Sequence, residues 1–152
     1  MLDVRPGDFA DSRVLELLRE HLAGMHASSP PGAVYALDLS GLQHPAVAFF
    51  TVWDRDDLLG CGALKHIDAT TGELKSMRTT ARHLRRGAGR VMLDHLLALA
   101  RTRGYTRVCL ETGSGDAFEP ALALYRNAGF TPCAAFGDYV ATEFNQFYQR
   151  SL

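Results

Sequence analysis

Two glycines and several arginines lie close enough together to bind a polyanion. Gly87 and Gly89 begin a segment with helical periodicity, and the same turn, which has no acidic residue between positions 82 and 90, carries Arg82, Arg85, Arg86 and Arg90. The first turn of a helix has unpaired N–H groups and a partial positive charge. Because glycine has no Cβ, a pyrophosphate can approach the main chain closely. The segment therefore predicts a phosphate site.

The overall composition favours a small anionic ligand over a polymer. The 152 residues have a formal net charge of −1, with 47% hydrophobic and 22% charged residues. A nucleic-acid-binding domain would normally carry a basic excess. No apolar run reaches membrane-spanning length, and the acidic N-terminus does not resemble a signal peptide. We expect one cytoplasmic domain over residues 1–152, with no nucleic-acid or membrane partner.

Three cysteines, Cys61, Cys109 and Cys133, are too few and too widely spaced for a metal cage or a disulfide framework. Each has apolar neighbours in the sequence. We therefore expect buried free thiols in a reducing compartment, and no metal site.

The N-terminal third of the chain predicts a strand, a helix and a loop. Residues 2–4 suit a short strand, and the apolar positions near 9–22 fall on one helical face. The stretch 26–34 is predicted to be a loop, because Pro30 and Pro31 cannot continue a helix. A short helical turn is expected near 34–37.

The rest of the chain predicts a mixed α/β sheet. Three strands at hairpin spacing, an antiparallel meander, are predicted at 46–53, 58–67 and 73–79. The most regular helix covers 87–103 and is closed by Gly104. The remaining elements are a strand at 107–111, a helix at 118–128, extended chain at 130–136 and a last strand within 143–150. The glycine-rich turn then lies at a strand–helix crossover.

Three linked motifs carry a resemblance to a known family. They are ELKSMRTTARHLRRGAG (73–89), LETGSG (110–115) and ALALYRNAGF (121–130). In this order and spacing they resemble the GNAT superfamily of acetyl-CoA-dependent N-acetyltransferases, and most of all its small bacterial YsnE-type enzymes. The resemblance covers about residues 58–136. It implies a mostly antiparallel central sheet flanked by helices, with a splayed strand pair that binds acetyl-CoA.

The resemblance assigns cofactor contacts to two segments. In family members the backbone amides of the glycine-rich turn bind the coenzyme A pyrophosphate, which maps here onto Leu84, Arg85, Arg86, Gly87, Ala88, Gly89 and Arg90. The chain departs from the family at Leu84, where Gln or Arg is usual, and Arg85 and Arg86 would supply the charge instead. The strand before the turn is implied to contact the pantetheine and the acetyl group at Met77, Arg78 and Thr79. The Met77 amide would stabilise the oxyanion of the tetrahedral intermediate.

Catalytic roles follow for one tyrosine and one of several bases. Tyr125 matches the family tyrosine near the coenzyme A sulfur, where a phenol can protonate the departing thiolate, although the same ring could simply anchor its helix. Glu73 and Glu111 are equal candidates for the general base, with His66 behind them. A carboxylate at a partly buried strand end can have a raised pKa, but either one could instead pair with an arginine.

The acceptor amine is expected to contact the segments that vary within the family. The expected contacts are Met25 and Ser28 from the first helix and its loop, and Phe136 and Tyr139 from the late segment, residues 135–140. A primary amine of a small molecule is the predicted acceptor, while a protein N-terminus or lysine stays open.

Two other functions compete with this interpretation. A non-catalytic acyl-CoA-binding sensor or regulatory module would use the same fold. A Rossmann-type nucleotide domain would need an acidic ribose ligand about 20 residues after the glycines. Glu111 falls near that position, but the antiparallel meander does not fit. An exposed sheet edge also makes a homodimer possible.

Overall fold

A computed structural model describes residues 1–80, 84 and 86–152, and one seven-stranded sheet runs through them. Its strands are β1 Leu2–Pro6, β2 Val47–Asp54, β3 Asp57–His66, β4 Thr71–Thr79, β5 Arg107–Thr112, β6 Thr131–Pro132 and β7 Gln146–Ser151. The spatial order is β1-β2-β3-β4-β5-β7-β6, and all neighbours are antiparallel except β4 and β5. The predicted mixed, mostly antiparallel sheet is confirmed.

The helices are α1 Ser12–Ser28, α2 Leu39–Leu42, α3 Ala88–Thr102 and α4 Glu119–Asn127, with a 3-10 turn at Asp116–Phe118 before α4. Helices α1 and α3 cover opposite faces of the sheet. Ala63 packs in the core beneath α1, and the next residue, Leu64, packs in the core beneath α3. Successive residues of a strand point to opposite faces, so the meander separates two apolar layers.

Two predictions near the first helix are wrong. Helix α1 continues through Ser28, so the predicted loop at 26–34 begins only at Ser29, which is extended (φ −128°, ψ 146°). A proline restricts the residue before it, here Ser29 before Pro30, but does not disturb the preceding turn. No helical turn forms at 34–37. The one-turn helix is α2, which begins where the Asp38 carboxylate accepts a hydrogen bond from the Gly41 amide (2.8 Å).

Two further predictions were too broad. Of the extended chain predicted at 130–136, only Thr131–Pro132 pairs in the sheet, against Tyr148 and Gln149. Cys61 and Cys109 are buried, whereas Cys133 is only half-buried, and all three are free thiols.

Strand β4 contains a bulge. Cys61 lies opposite Arg78 and Ala63 lies opposite Lys75, so two residues of β4, Ser76 and Met77, share the space opposite Gly62. Ser76 has a φ of 55°, which is uncommon for a residue other than glycine. The bulge interrupts the regular ladder at this point, and the Ser76 carbonyl oxygen accepts a hydrogen bond from the Cys61 thiol of β3 (3.2 Å).

Strands β4 and β5 separate soon after they meet. Their parallel pairing joins Thr71, Gly72 and Glu73 to Arg107, Val108 and Cys109, and it ends there. Beyond this point Leu110–Thr112 pair only with β7. The predicted splayed strand pair is therefore present, and it opens beyond Glu73.

The edge strands of the sheet are β1 and β6. Self-association through an edge stays a prediction. Among the described helices, none has both the length and the apolar character needed to cross a membrane.

Candidate active site

A cleft of about 360 Å³ opens where β4 and β5 diverge. The walls come from α1, β4, β5, the 3-10 turn and α4, with Tyr35 and Ala36 from the loop after α1. Of the predicted site residues, those that line this cleft are Met25, Ser28, Met77, Arg78, Glu111 and Tyr125. The splay thus gathers residues that are far apart in the sequence.

The cleft has two chemically different sides. Arg78 and Lys75 lie opposite Cys61 and Ala63, which belong to the core beneath α1. Directly opposed residues of antiparallel strands share a face, so both cations face α1. Met77 lies on the α3 face, because a Cβ added at Gly62 would come 2.7 Å from the Met77 Sδ. The α1 side of the cleft is therefore polar and the α3 side apolar.

Tyr125 belongs to the apolar side. It lies on α4, is only 6% exposed, and packs its ring against Phe130 with the centroids 5.8 Å apart. Burial raises the pKa of its hydroxyl above the usual range for tyrosine. The phenol therefore keeps its proton at neutral pH and is available as a hydrogen-bond donor. The contact with Phe130 shows that the ring of Tyr125 also anchors α4 in the core.

Glu111 is the carboxylate that lines the cleft. Burial raises its pKa to about 7; the nearby charge of Lys75 lowers the pKa, that of Glu73 raises it, and a hydrogen bond with Asn145 lowers it. A carboxyl group with a pKa near neutrality can both take up and release a proton under physiological conditions.

Glu73 has a different environment. It is 2% exposed and is absent from the cleft lining. The Tyr139 hydroxyl donates to a Glu73 carboxylate oxygen at 2.6 Å, and the Lys75 ammonium lies 3.4 Å from the same oxygen. Lys75 also donates to the Tyr139 hydroxyl at 2.7 Å. The described partners of Glu73 are therefore a lysine and a tyrosine, where the alternative raised from the sequence was an arginine.

The predicted acceptor contacts are divided between two cavities. Met25 and Ser28 line the cleft, whereas Phe136 and Tyr139 line a neighbouring cavity of about 480 Å³. His66, the third candidate base, also borders this second cavity, and its Nδ1 lies 2.6 Å from the Tyr105 hydroxyl. The two cavities meet at Lys75 and Tyr35, which line both.

The glycine-rich turn leads from β4 into α3. Gly87 is the N-cap of α3 with a φ of 83°, a left-handed conformation that favours glycine. At Gly89 an added Cβ would lie 3.2 Å from the Leu124 side chain, so this glycine permits close contact with α4. The first amides of α3 have no partner within the helix itself, which leaves them available to an anion.

The structure describes two of the four arginines that were predicted to supply positive charge at this turn. Arg86 forms an ion pair with Asp54, and Arg90 pairs with Asp94 at 3.0 Å. Leu84 is 61% exposed. The predicted contributions of Arg82 and Arg85 fall outside the described residues. Two of the four arginines thus have carboxylate partners.

Several polar residues of the cleft were not among the predicted site residues, and Lys75 and Tyr35 are two of them. Lys75 follows Glu73 by two positions, a spacing that places both on one face of a strand and could have indicated their pairing. Tyr35 contacts Tyr139 edge to face with the ring centroids 5.2 Å apart. No local pattern indicates this contact, because it joins segments about a hundred residues apart.

Comparisons with known proteins agree with the geometry. The sequence profile of the Acetyltransferase (GNAT) family matches residues 13–130. The chain is 45% identical over 138 residues to the uncharacterized N-acetyltransferase YsnE of Bacillus subtilis (strain 168), covering 91% of each chain. It is 39% identical over 152 residues to the uncharacterized N-acetyltransferase YedL of Escherichia coli (strain K12), covering 100% of this chain and 96% of that one.

Solved structures share the fold. A proposed acyl-CoA N-acyltransferase from Klebsiella pneumoniae superposes with a TM-score of 0.83 at 26% identity, covering 100% of this chain and 98% of that one. A Bacillus subtilis acetyltransferase in complex with CoA superposes with a TM-score of 0.74 at 17% identity, covering 100% and 99%. These similarities extend over the whole chain and include a fold that holds coenzyme A.

Proposed function

This chain belongs to the GNAT family and is an N-acetyltransferase that uses acetyl-CoA, and we propose that it acetylates a primary amine of a small molecule by direct attack on the thioester. The observation that carries this proposal is the common location of Glu111 and Tyr125. Both line the cleft that opens where β4 and β5 diverge. One can accept a proton and the other can donate one, as acyl transfer from a thioester to an amine requires.

Glu111 is the general base in this mechanism. An amine reaches the enzyme mostly protonated at neutral pH, and it attacks only after losing a proton. The pKa of about 7 makes Glu111 a suitable acceptor for that proton, directly or through a water. Glu73, held by Lys75 and Tyr139 outside the cleft lining, has no comparable access.

The β4 bulge is the proposed site of carbonyl polarisation. The amine nitrogen attacks the acetyl carbon, and the oxygen becomes an oxyanion. The bulge at Ser76 and Met77 supplies peptide groups outside the regular ladder, and we assign the Met77 amide to the oxyanion, with Arg78 and Thr79 continuing the contact along the cofactor. A fixed amide donor of this kind contributes about 10²- to 10³-fold in related acyl transfers.

Tyr125 completes the reaction. As the intermediate collapses, the nitrogen releases its second proton to solvent, the bond between carbon and sulfur breaks, and the sulfur leaves as a thiolate. Tyr125 donates a hydrogen bond and then its proton to that sulfur, and the phenolate is reprotonated from solvent. The pyrophosphate is held by the backbone of the turn from Leu84 to Arg90, which positions the thioester for attack.

Direct attack is favoured over an acyl-enzyme intermediate. No cysteine occurs among the described residues that line the cleft. Cys61, the nearest to the bulge, is buried, and its thiol donates to the Ser76 carbonyl oxygen at 3.2 Å. Burial raises the pKa of this thiol to about 12, so it is not a thiolate at neutral pH.

A small acceptor suits the dimensions of the site. The cleft has a volume of about 360 Å³, and one end is bordered by α1 and by Tyr35, which packs against Tyr139. The free thiols of Cys61, Cys109 and Cys133 support a cytoplasmic location.

The test is thiol release from acetyl-CoA across a panel of primary amines, with mass spectrometry of the product. Turnover that yields N-acetylated amine supports the enzyme. Tight coenzyme A binding without turnover on any amine, with unchanged behaviour in Tyr125→Phe, would identify a non-catalytic sensor instead.

A further inference from the structure

We propose that the acceptor carries a carboxylate close to its amine, as an amino acid does, and that the Arg78 side chain binds this carboxylate. The inference rests on the proposed function and specifies its substrate class. It starts from the direction of the Arg78 side chain, which is separate from any contact that the Arg78 backbone makes with the cofactor.

The guanidinium of Arg78 lies on the α1 side of the cleft. Arg78 is opposite Cys61 on β3, in the layer that packs beneath α1. A Cβ added at Gly24 of α1 would lie 2.8 and 3.0 Å from the two terminal nitrogens of Arg78. The charged end of the side chain therefore reaches the wall formed by α1, on the face of β4 opposite to Met77.

Arg78 has no carboxylate partner among the described residues. The other cation on this wall, Lys75, is neutralised by the buried Glu73. Most side-chain ion pairs of the chain lie instead on the exposed surface, as in Arg19 with Glu16. A half-buried guanidinium beside a cleft favours an anionic ligand, because a carboxylate matches its planar donors.

Two buried polar groups in the same cleft also lack partners among the described residues. They are the His21 Nδ1 and the Ser76 Oγ, from side chains that are 5% and 7% exposed and that line the cleft. Burial, and then the charge of Arg78, lower the pKa of His21 to about 4, so its ring is neutral. Buried polar groups are normally hydrogen-bonded, so these two unpartnered groups add to the polar character of the wall beside Arg78.

The charges of the α1 side then match an amino acid. Lys75 and Glu73 cancel, which leaves Arg78 positive and Glu111 negative when ionised. A substrate with its carboxylate on Arg78 and its amine beside Glu111 complements both charges. Binding of the carboxylate would also hold the amine in place for attack. Binding energy from a group that does not react lowers the barrier in this way.

The experiment compares matched acceptors that differ only at the carboxylate. For a set of L-amino acids, each with its primary amide and its decarboxylated amine, kcat/KM is measured by thiol release. We expect the best amino acid to exceed its amide and its amine by about 10- to 100-fold. In Arg78→Met this ratio falls to within about twofold, and Arg78→Lys restores part of it. The control is Arg19→Met, at an exposed arginine of α1 that does not line the cleft, and it keeps the wild-type ratio.

Several outcomes would overturn the proposal. Wild-type protein that acetylates the amides as efficiently as the acids contradicts it, and so does a preference that survives in Arg78→Met. A stronger preference for aminophosphonates than for amino acids would assign Arg78 to a dianion instead. Thermal melting of each variant, together with the partial rescue in Arg78→Lys, separates a lost contact from misfolding.

Failure of the proposed function gives a distinct result. If the wild-type protein turns over neither acids, amides nor amines, the acetylation of small amines is wrong. Equilibrium binding of the same amino acids and amides to the coenzyme A-bound protein then decides the carboxylate proposal. Equal binding of acid and amide, or no binding of either, overturns it.

Discussion

The Tyr139 hydroxyl donates to the buried Glu73 carboxylate at 2.6 Å, across 66 positions of sequence. This hydrogen bond joins the late segment of the chain to β4 immediately before β4 leaves β5. Together with Lys75 it satisfies a carboxylate that is almost completely buried. The pair therefore stabilises the fold where the cleft begins, and in the proposed mechanism Glu111 is the base instead of Glu73.

The first prediction concerns this hydrogen bond. Tyr139→Phe removes the hydroxyl and leaves Glu73 with Lys75 as its remaining described partner. We expect a loss of about 1–3 kcal/mol in the free energy of unfolding, because a buried charged group loses a hydrogen bond. Denaturant unfolding measures the change. Tyr35→Phe, at an exposed tyrosine whose ring contacts Tyr139, is the control. A Tyr139→Phe protein as stable as the wild type would show that the bond contributes nothing.

The second prediction is the pH dependence of kcat/KM. Glu111 acts as a base only when ionised, and its pKa is about 7. The rate should therefore rise as the pH increases through about 7 and level off above it. The measurement needs a primary amine whose own pKa lies well above 8.5, so that the substrate stays protonated across the range and Glu111 has a proton to remove. A profile that is flat from pH 5.5 to 8.5 with such an amine would remove Glu111 as the base.

The third prediction concerns Tyr125. Tyr125→Phe keeps the ring that packs on Phe130 but cannot donate to the sulfur. We expect kcat to fall by about 10²-fold or more, while the dissociation constant of coenzyme A changes little. Steady-state kinetics and isothermal titration with coenzyme A give the two values. Equal losses in affinity and kcat would instead indicate an anchoring role alone.

The fourth prediction uses acid stability to test the environment of His21. Burial lowers the pKa of His21 from its ordinary value of 6.5 to about 4 in the folded protein. The unfolded chain therefore binds a proton more readily than the native protein, and the native protein loses stability as the pH falls from about 6.5 towards 4. His21→Gln should remove on the order of 2 kcal/mol of this loss between pH 7 and 4.5.

Unfolding free energies at the two pH values measure this difference. His26→Gln, at an exposed histidine of the same helix, is the matched control. The same acid-dependent loss in His21→Gln as in the wild type would mean that His21 is accessible to solvent protons.

Much of the cofactor side could be predicted from the sequence. The hairpin spacing of the three meander strands and the apolar stripe of α3 are local patterns, and the structure has both close to their expected bounds. The glycine at the N-cap of α3 can be identified from the sequence for the same reason, since a left-handed φ favours glycine.

The acceptor side depends on contacts that no local pattern records. The bulge places Ser76 at positive φ without a glycine to mark it. Glu73 and Glu111 are equal candidates by sequence, and they are distinguished by the contacts of Glu73 with Lys75 and the distant Tyr139 and by the position of Glu111 in the cleft lining. The direction of the Arg78 side chain depends on the same bulge, because one extra residue in β4 changes which face each later side chain takes.

The most direct test of the mechanism is the steady-state rate of thiol release for Glu111→Gln at saturating acetyl-CoA. With the best primary amine of the panel, we predict a kcat/KM about 10²- to 10⁴-fold below the wild type, with the KM for acetyl-CoA unchanged. Glu119→Gln, an exposed carboxylate on α4, should retain wild-type kinetics. A Glu111→Gln protein that acetylates amines at the wild-type rate would contradict the assignment of this cleft as the site of proton transfer.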